Sequence, residues 1–171
     1  MAQAKNEFTS VSGLRAESVG EPGKRTFRIV VDSASSSASI WLEKEQLFEL
    51  ALAIQQMVVA LPKAPEPKGE PPADREADAL TRLDFKVAKL VLGHDSGRGL
   101  FIIDAHDPED GESATVRVWV SLDQATDFSR EALNVCASGR PLCPLCARPI
   151  DPSGHRCARV NGHVTLGDTD L

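Results

Sequence analysis

Residues 38–46, ASIWLEKEQ, and residues 116–124, VRVWVSLDQ, share one pattern at a constant offset of 78: an alternating apolar stretch centred on a tryptophan, then an acidic residue and a glutamine. In the first, Ile40-Trp41-Leu42 precedes Glu45-Gln46; in the second, Val118-Trp119-Val120 precedes Asp123-Gln124. A strand that runs directly into a helix explains both halves of the pattern. Alternation of period two gives way to apolar residues at steps of three and four, Leu47, Leu50, Ala51, Ile54 and Val58 in one copy and Ala125, Phe128, Ala132 and Val135 in the other. Ser121 and Gln124 have the spacing of a capping box, and Gly139 followed by Pro141 closes the second helix.

Outward from these anchors, each copy has an upstream apolar run, Phe27-Arg28-Ile29-Val30-Val31 and Leu100-Phe101-Ile102-Ile103. Before each run an earlier segment ends at a glycine-rich turn, Gly20-Glu21-Pro22-Gly23 and Gly93-His94-Asp95-Ser96-Gly97. The expected fold is therefore α+β: two β-β-β-α repeats with pseudo-two-fold symmetry forming one compact unit. The first repeat occupies residues 1–61 and the second 80–138. Between them, residues 62–79 hold five of the eleven prolines with alternating charge, the composition of a linker. A small zinc-binding tail is expected over 139–163 and a flexible end over 164–171. Two independent domains of about 50 residues would each have a marginal core, which favours intertwining.

The tail GRPLCPLCARPIDPSGHRCARVNGH carries the specific motif. Cys143 and Cys146 form a C-x2-C turn, and His155 with Cys157 follows eight residues later; His163 competes with His155 as the fourth ligand. Zinc takes four N/S ligands in a tetrahedron, and a segment without apolar periodicity needs a metal to supply its folding energy. A site filled by four protein ligands leaves no position for a reactive water, so the expected zinc is structural and the chain is not expected to be an enzyme. Cys136, next to Val135 on the apolar side of the second helix, reads as a small buried hydrophobe. His94 and His106, beside Asp95, Asp104 and Asp107, read as surface-loop residues.

The 171 residues carry 19 Lys+Arg against 25 Asp+Glu, a formal charge of -6, with 5% aromatics and no tyrosine. A general attraction to phosphate or anionic lipid is excluded. Arg140, Arg148, Arg156 and Arg159 make a local basic island in the tail, either a phosphate-binding surface or a neutraliser of thiolates. Trp41 and Trp119 alternate against apolar neighbours, so they are candidates to face away from the helices. At equivalent places on a shared sheet they would stack bases, anchor a protein partner or fill the seam between the repeats. The function expected from these features is a non-catalytic adaptor for an unidentified protein partner, with a single-stranded nucleic-acid binder as the alternative. Oligomeric state is left open. No apolar run reaches membrane-spanning length and the N-terminus lacks signal-peptide character, which points to the cytoplasm.

The GEPGKRTF turn, the SIWLEKEQL helix start and the cysteine tail resemble a family of uncharacterised, largely actinobacterial conserved proteins of unknown function, sometimes described simply as a repeat protein. The resemblance covers nearly the whole chain and implies a bacterial cytoplasmic protein, with no activity attached. Family members place a glycine after the second cysteine and a proline after the last, where this chain has Ala147 and Ala158. In architecture the chain also looks like the PUR-repeat and Whirly proteins, which bind single strands on a sheet face; that likeness rests on pattern.

Overall fold

A computed structural model describes residues 3–21, 23–34, 36–62, 81–137 and 145. Apart from Pro62 and Leu145, the linker and tail expected from sequence lie outside these residues. Elements follow in the order β1 (Asn6–Phe8), β2 (Val11–Val19), β3 (Thr26–Ser33), β4 (Ser36–Leu42), α1 (Lys44–Ala60), β5 (Thr81–Lys86), β6 (Lys89–Asp95), β7 (Leu100–His106), a 3-10 turn (Pro108–Asp110), β8 (Val116–Val120) and α2 (Leu122–Ala137). The described residues make an α+β fold with two four-stranded sheets and two helices.

Among the described residues each stretch before a helix holds four strands, where the sequence pattern marks three. The additional strands, β1 and β5, open the two stretches, and each joins the sheet of the other. β1 pairs in parallel with β8, giving the order β1-β8-β7-β6, and β5 pairs in parallel with β4, giving β2-β3-β4-β5. The remaining neighbours are antiparallel. The described residues of 3–19 and 26–136 form one compact unit around this exchange.

Alternation sets which side of each sheet is buried. Phe27, Ile29 and Val31 of β3, Ala38, Ile40 and Leu42 of β4, Phe101, Ile103 and Ala105 of β7, and Val116, Val118 and Val120 of β8 all enter one core cluster. The helices close it with Leu47, Leu50, Ala51 and Ile54 from α1 and Ala125, Phe128, Ala132 and Cys136 from α2. At about 1.5–3 kcal/mol for each large side chain taken from water, this shared cluster is what makes the two stretches one unit.

Both helices begin in the same way. Gln46 Oε1 accepts from Glu43 N–H at 2.9 Å, and Gln124 Oε1 accepts from Ser121 N–H at 3.0 Å while Gln124 N–H donates to Ser121 Oγ at 3.2 Å. The second box is the one expected from sequence; the first has the same spacing with Glu43 at its head. α2 also reaches the free edge of β2: Gln124 Nε2 donates to the Val11 carbonyl at 2.9 Å, and Glu131 Oε2 accepts from Ala16 N–H at 3.4 Å. Polar side chains thereby occupy backbone groups that an open strand edge leaves exposed.

Two expectations about the β6–β7 connection are corrected. Gly93 and His94 belong to β6, and the turn is Ser96–Gly99, where Arg98 N–H donates to Asp95 Oδ1 at 3.1 Å and Gly99 adopts φ 69°. His94 and His106 are strand residues, with His106 buried and His94 half-buried in a T-shaped contact with Phe101. Their Asp-rich neighbourhood looks like turn chemistry only until pairing between β6 and β7 is formed. In the separate 20–25 turn, Gly20 has φ 109° and a Cβ there would lie 2.9 Å from the Lys24 carbonyl oxygen, so a side chain does not fit. Among the described residues no helix is long and apolar enough to cross a membrane.

Candidate functional site

Trp41 stands on the side of β4 opposite to Ile40 and Leu42, in register with Arg28 of β3 and Lys86 of β5. Its indole Nε1–H donates to Asp84 Oδ1 at 2.8 Å, and the Arg28 guanidinium lies 5.3 Å from its ring centroid. Arg28 is itself tied to Glu17 Oε2 through Nε and Nη2 at 2.8 and 2.6 Å. The outcome is a half-buried tryptophan in a row of paired charges.

Trp119 occupies the matching place on β8, opposite Ile102, with the Arg98 guanidinium 5.6 Å from its ring centroid. It is 7% exposed, and its Nε1 has no hydrogen-bond partner among the described residues. The two tryptophans belong to different sheets, so they do not share one stacking surface as the sequence reading allowed. Neither is a member of the core cluster.

The cationic side chains of the sheets are largely engaged. Arg15 pairs with Asp32 and Glu17, Arg28 with Glu17, Lys86 with Glu43, Arg98 with Asp95 and Arg117 with Asp104. Such pairs hold the sheet faces near neutrality and leave little unbalanced positive field for phosphate.

The helices present different outer faces. On α2, Asp123, Asp127, Arg130 and Asn134 are exposed. On α1 the exposed residues include Phe48, 45% exposed, and Val59, 85% exposed, with half-buried Leu52 between them. Positions 48, 52 and 59 recur at helical steps along one side and make an apolar stripe that Gln55 interrupts between Leu52 and Val59. Sequence periodicity marks the core stripe of α1 without showing this second one, because the helix is apolar on most of its circumference.

Cys136 is buried, and its Sγ lies 3.9 Å from the Lys44 carbonyl; burial pushes its thiol above the ordinary range. Cys143, Cys146, His155, Cys157 and His163, and with them Arg140, Arg148, Arg156 and Arg159, lie outside the described residues. Among the described residues no cluster of three or more His, Cys, Asp or Glu side chains is placed to hold a metal ion.

A family model described as a protein of unknown function matches residues 6–157. Searches of curated proteins and of solved structures give no match.

Proposed function

This chain belongs to the DUF3090 family of proteins of unknown function, and from that premise we propose that it is a non-catalytic adaptor that docks a partner protein on the outer stripe of α1. The observation that carries this reading is the exposure of Phe48 and Val59 on one helix while the matching helix is polar outside. A large apolar side chain held in water gains most from burial against another protein. The engaged arginines and the formal charge of -6 favour a protein over a nucleic acid.

The proposal includes an internal duplication, supported by matching element order, reciprocal exchange of β1 and β5 and matching helix starts. It also includes one structural zinc held by Cys143, Cys146, Cys157 and His155 or His163, which would brace the arginine-bearing tail as a second recognition surface. The cytoplasm of an actinobacterium is the setting that the sequence resemblance implies for such an adaptor.

The test is affinity capture from native cytoplasm with the wild-type chain and a Phe48→Glu, Val59→Glu variant. Because both positions are exposed, the variant should fold normally and lose a specific protein that the wild type retains. Capture of the same proteins by both would overturn the reading. For the metal, about one zinc per purified chain is expected, falling sharply in Cys143→Ser; an unchanged content would remove the zinc.

One observation favours a second reading, binding of a single strand: Trp41 and Arg28 stack on an open sheet face. Trp119, being buried, would contribute no stacking in this case. Titration with mixed-sequence single strands would then quench Trp41 fluorescence with a steep salt dependence.

A further inference from the structure

On the β1-β8-β7-β6 sheet, the side opposite to the core holds a cleft of about 200 Å³. Its floor is apolar: Val91 and Gly93 of β6, Ile102 of β7, and Ala114 from the segment before β8. Gly93 opens the space, since a Cβ built there would meet only the Ile102 side chain, at an ordinary 3.8 Å.

The polar wall is anchored before any ligand arrives. The 107–115 segment is pinned by Thr115 N–H to the Ala105 carbonyl at 2.9 Å, by Lys5 N–H to the Ala114 carbonyl at 2.8 Å and by Asn6 Nδ2 to the Thr115 carbonyl at 2.9 Å. Asp107 N–H donates to Thr115 Oγ1 at 2.8 Å, and Thr115 Oγ1 donates to Asp110 Oδ2 at 2.6 Å. A wall held this way loses little freedom on binding.

Three side chains decide what the wall selects. Arg117 is committed to Asp104 by two bonds of 2.7 Å and faces Glu7 across the β1–β8 register, so it offers no free positive charge. Glu112, exposed at the rim, leaves the cleft with a surplus negative charge. His106 is 9% exposed and lines the cleft, and its Nδ1, itself enclosed, has no partner among the described residues.

We propose that this cleft binds a small primary amine with an apolar body. The body lies on Val91, Ile102 and Ala114, while the ammonium pairs with the Glu112 carboxylate and the His106 ring lines the wall beside it. An anion of the same size is excluded by Glu112 and by the commitment of Arg117. This site is independent of the α1 stripe, so either can fail without the other.

Benzylamine and benzoate, alike in size and opposite in charge, are the probes. Followed through backbone amide shifts of the full chain, benzylamine should move residues of β6, β7 and the 107–115 segment saturably, at millimolar concentration. Benzoate should bind at least about tenfold more weakly. Gly93→Val fills the floor, suits a strand and should reduce benzylamine affinity at least about tenfold. Glu112→Gln, at an exposed position, should weaken it several-fold without changing the fold. Equal binding of both probes, unchanged affinity in Gly93→Val with a native spectrum, or no saturable shift with benzylamine would each overturn the proposal.

Discussion

Asp104 and Arg117 face each other across β7 and β8 and meet through two parallel bonds of 2.7 Å, with side chains 14% and 8% exposed. The carboxylate in turn holds the guanidinium above its ordinary range. A pair so enclosed is more costly to break than it is stabilising to possess, because removing one partner leaves the other charge stranded. Arg117→Ala should lower stability by about 3–5 kcal/mol, whereas Asp104→Leu with Arg117→Met should recover most of that loss. Urea unfolding of the wild type, Arg117→Ala and the double variant is the measurement. A double variant no more stable than Arg117→Ala would contradict this account.

Gln124 performs two tasks and Gln46 one. Both accept from the residue that heads their helix, but Gln124 also donates to the Val11 carbonyl on the edge of β2. Gln124→Ala should cost about 1–2 kcal/mol and Gln46→Ala about half as much. Amide exchange in β2 should accelerate in the first variant and stay native in the second. Equal costs and equal exchange would show that the contact with β2 contributes nothing.

Asp110 accepts first from the Lys5 ammonium and then from the Thr115 hydroxyl, and these bonds hold its carboxyl below the ordinary range. Asp95 is lowered likewise, above all by the Arg98 backbone N–H. For a carboxyl whose folded pKa lies below its unfolded one, the stabilisation is complete above the unfolded value of about 3.9 and is lost as pH falls through the folded value. The stability gap between wild type and Asp110→Asn should therefore be constant near neutrality and narrow below about pH 4. Urea midpoints measured through that range decide it; a gap that widens on acidification would have the wrong sign.

Exchange of β1 and β5 predicts the behaviour of a cut chain. A protease site inserted between Leu61 and Thr81 would release two fragments, yet β5 would remain hydrogen-bonded to β4 and β1 to β8. The cleaved protein should elute from a sizing column as one species and separate only in denaturant. Two fragments eluting apart under native conditions would rule out the exchange.

Local physics made much of this molecule legible from its residues. Period-two alternation set the core-facing side of β3, β4 and β8, and steps of three and four marked α1 and α2. The Ser121 box followed from side-chain spacing, as did the placing of Trp41 and Trp119 away from the helices. All of these depend on the chain within a few residues, where side-chain direction and backbone hydrogen bonding are fixed together. The choice of neighbour for β1 and β5 was decided elsewhere. A three-residue strand such as Asn6–Phe8 is too short to show a period, and although Leu83 and Phe85 do alternate in β5, alternation tells which side a strand buries and nothing about the strand it pairs with. That partner, the separation of the two tryptophans onto different sheets, the enclosure of His106 and the meeting of Asp104 with Arg117 arise only when distant segments close on a shared core, because burial and pairing energies there belong to contacts that no local stretch contains.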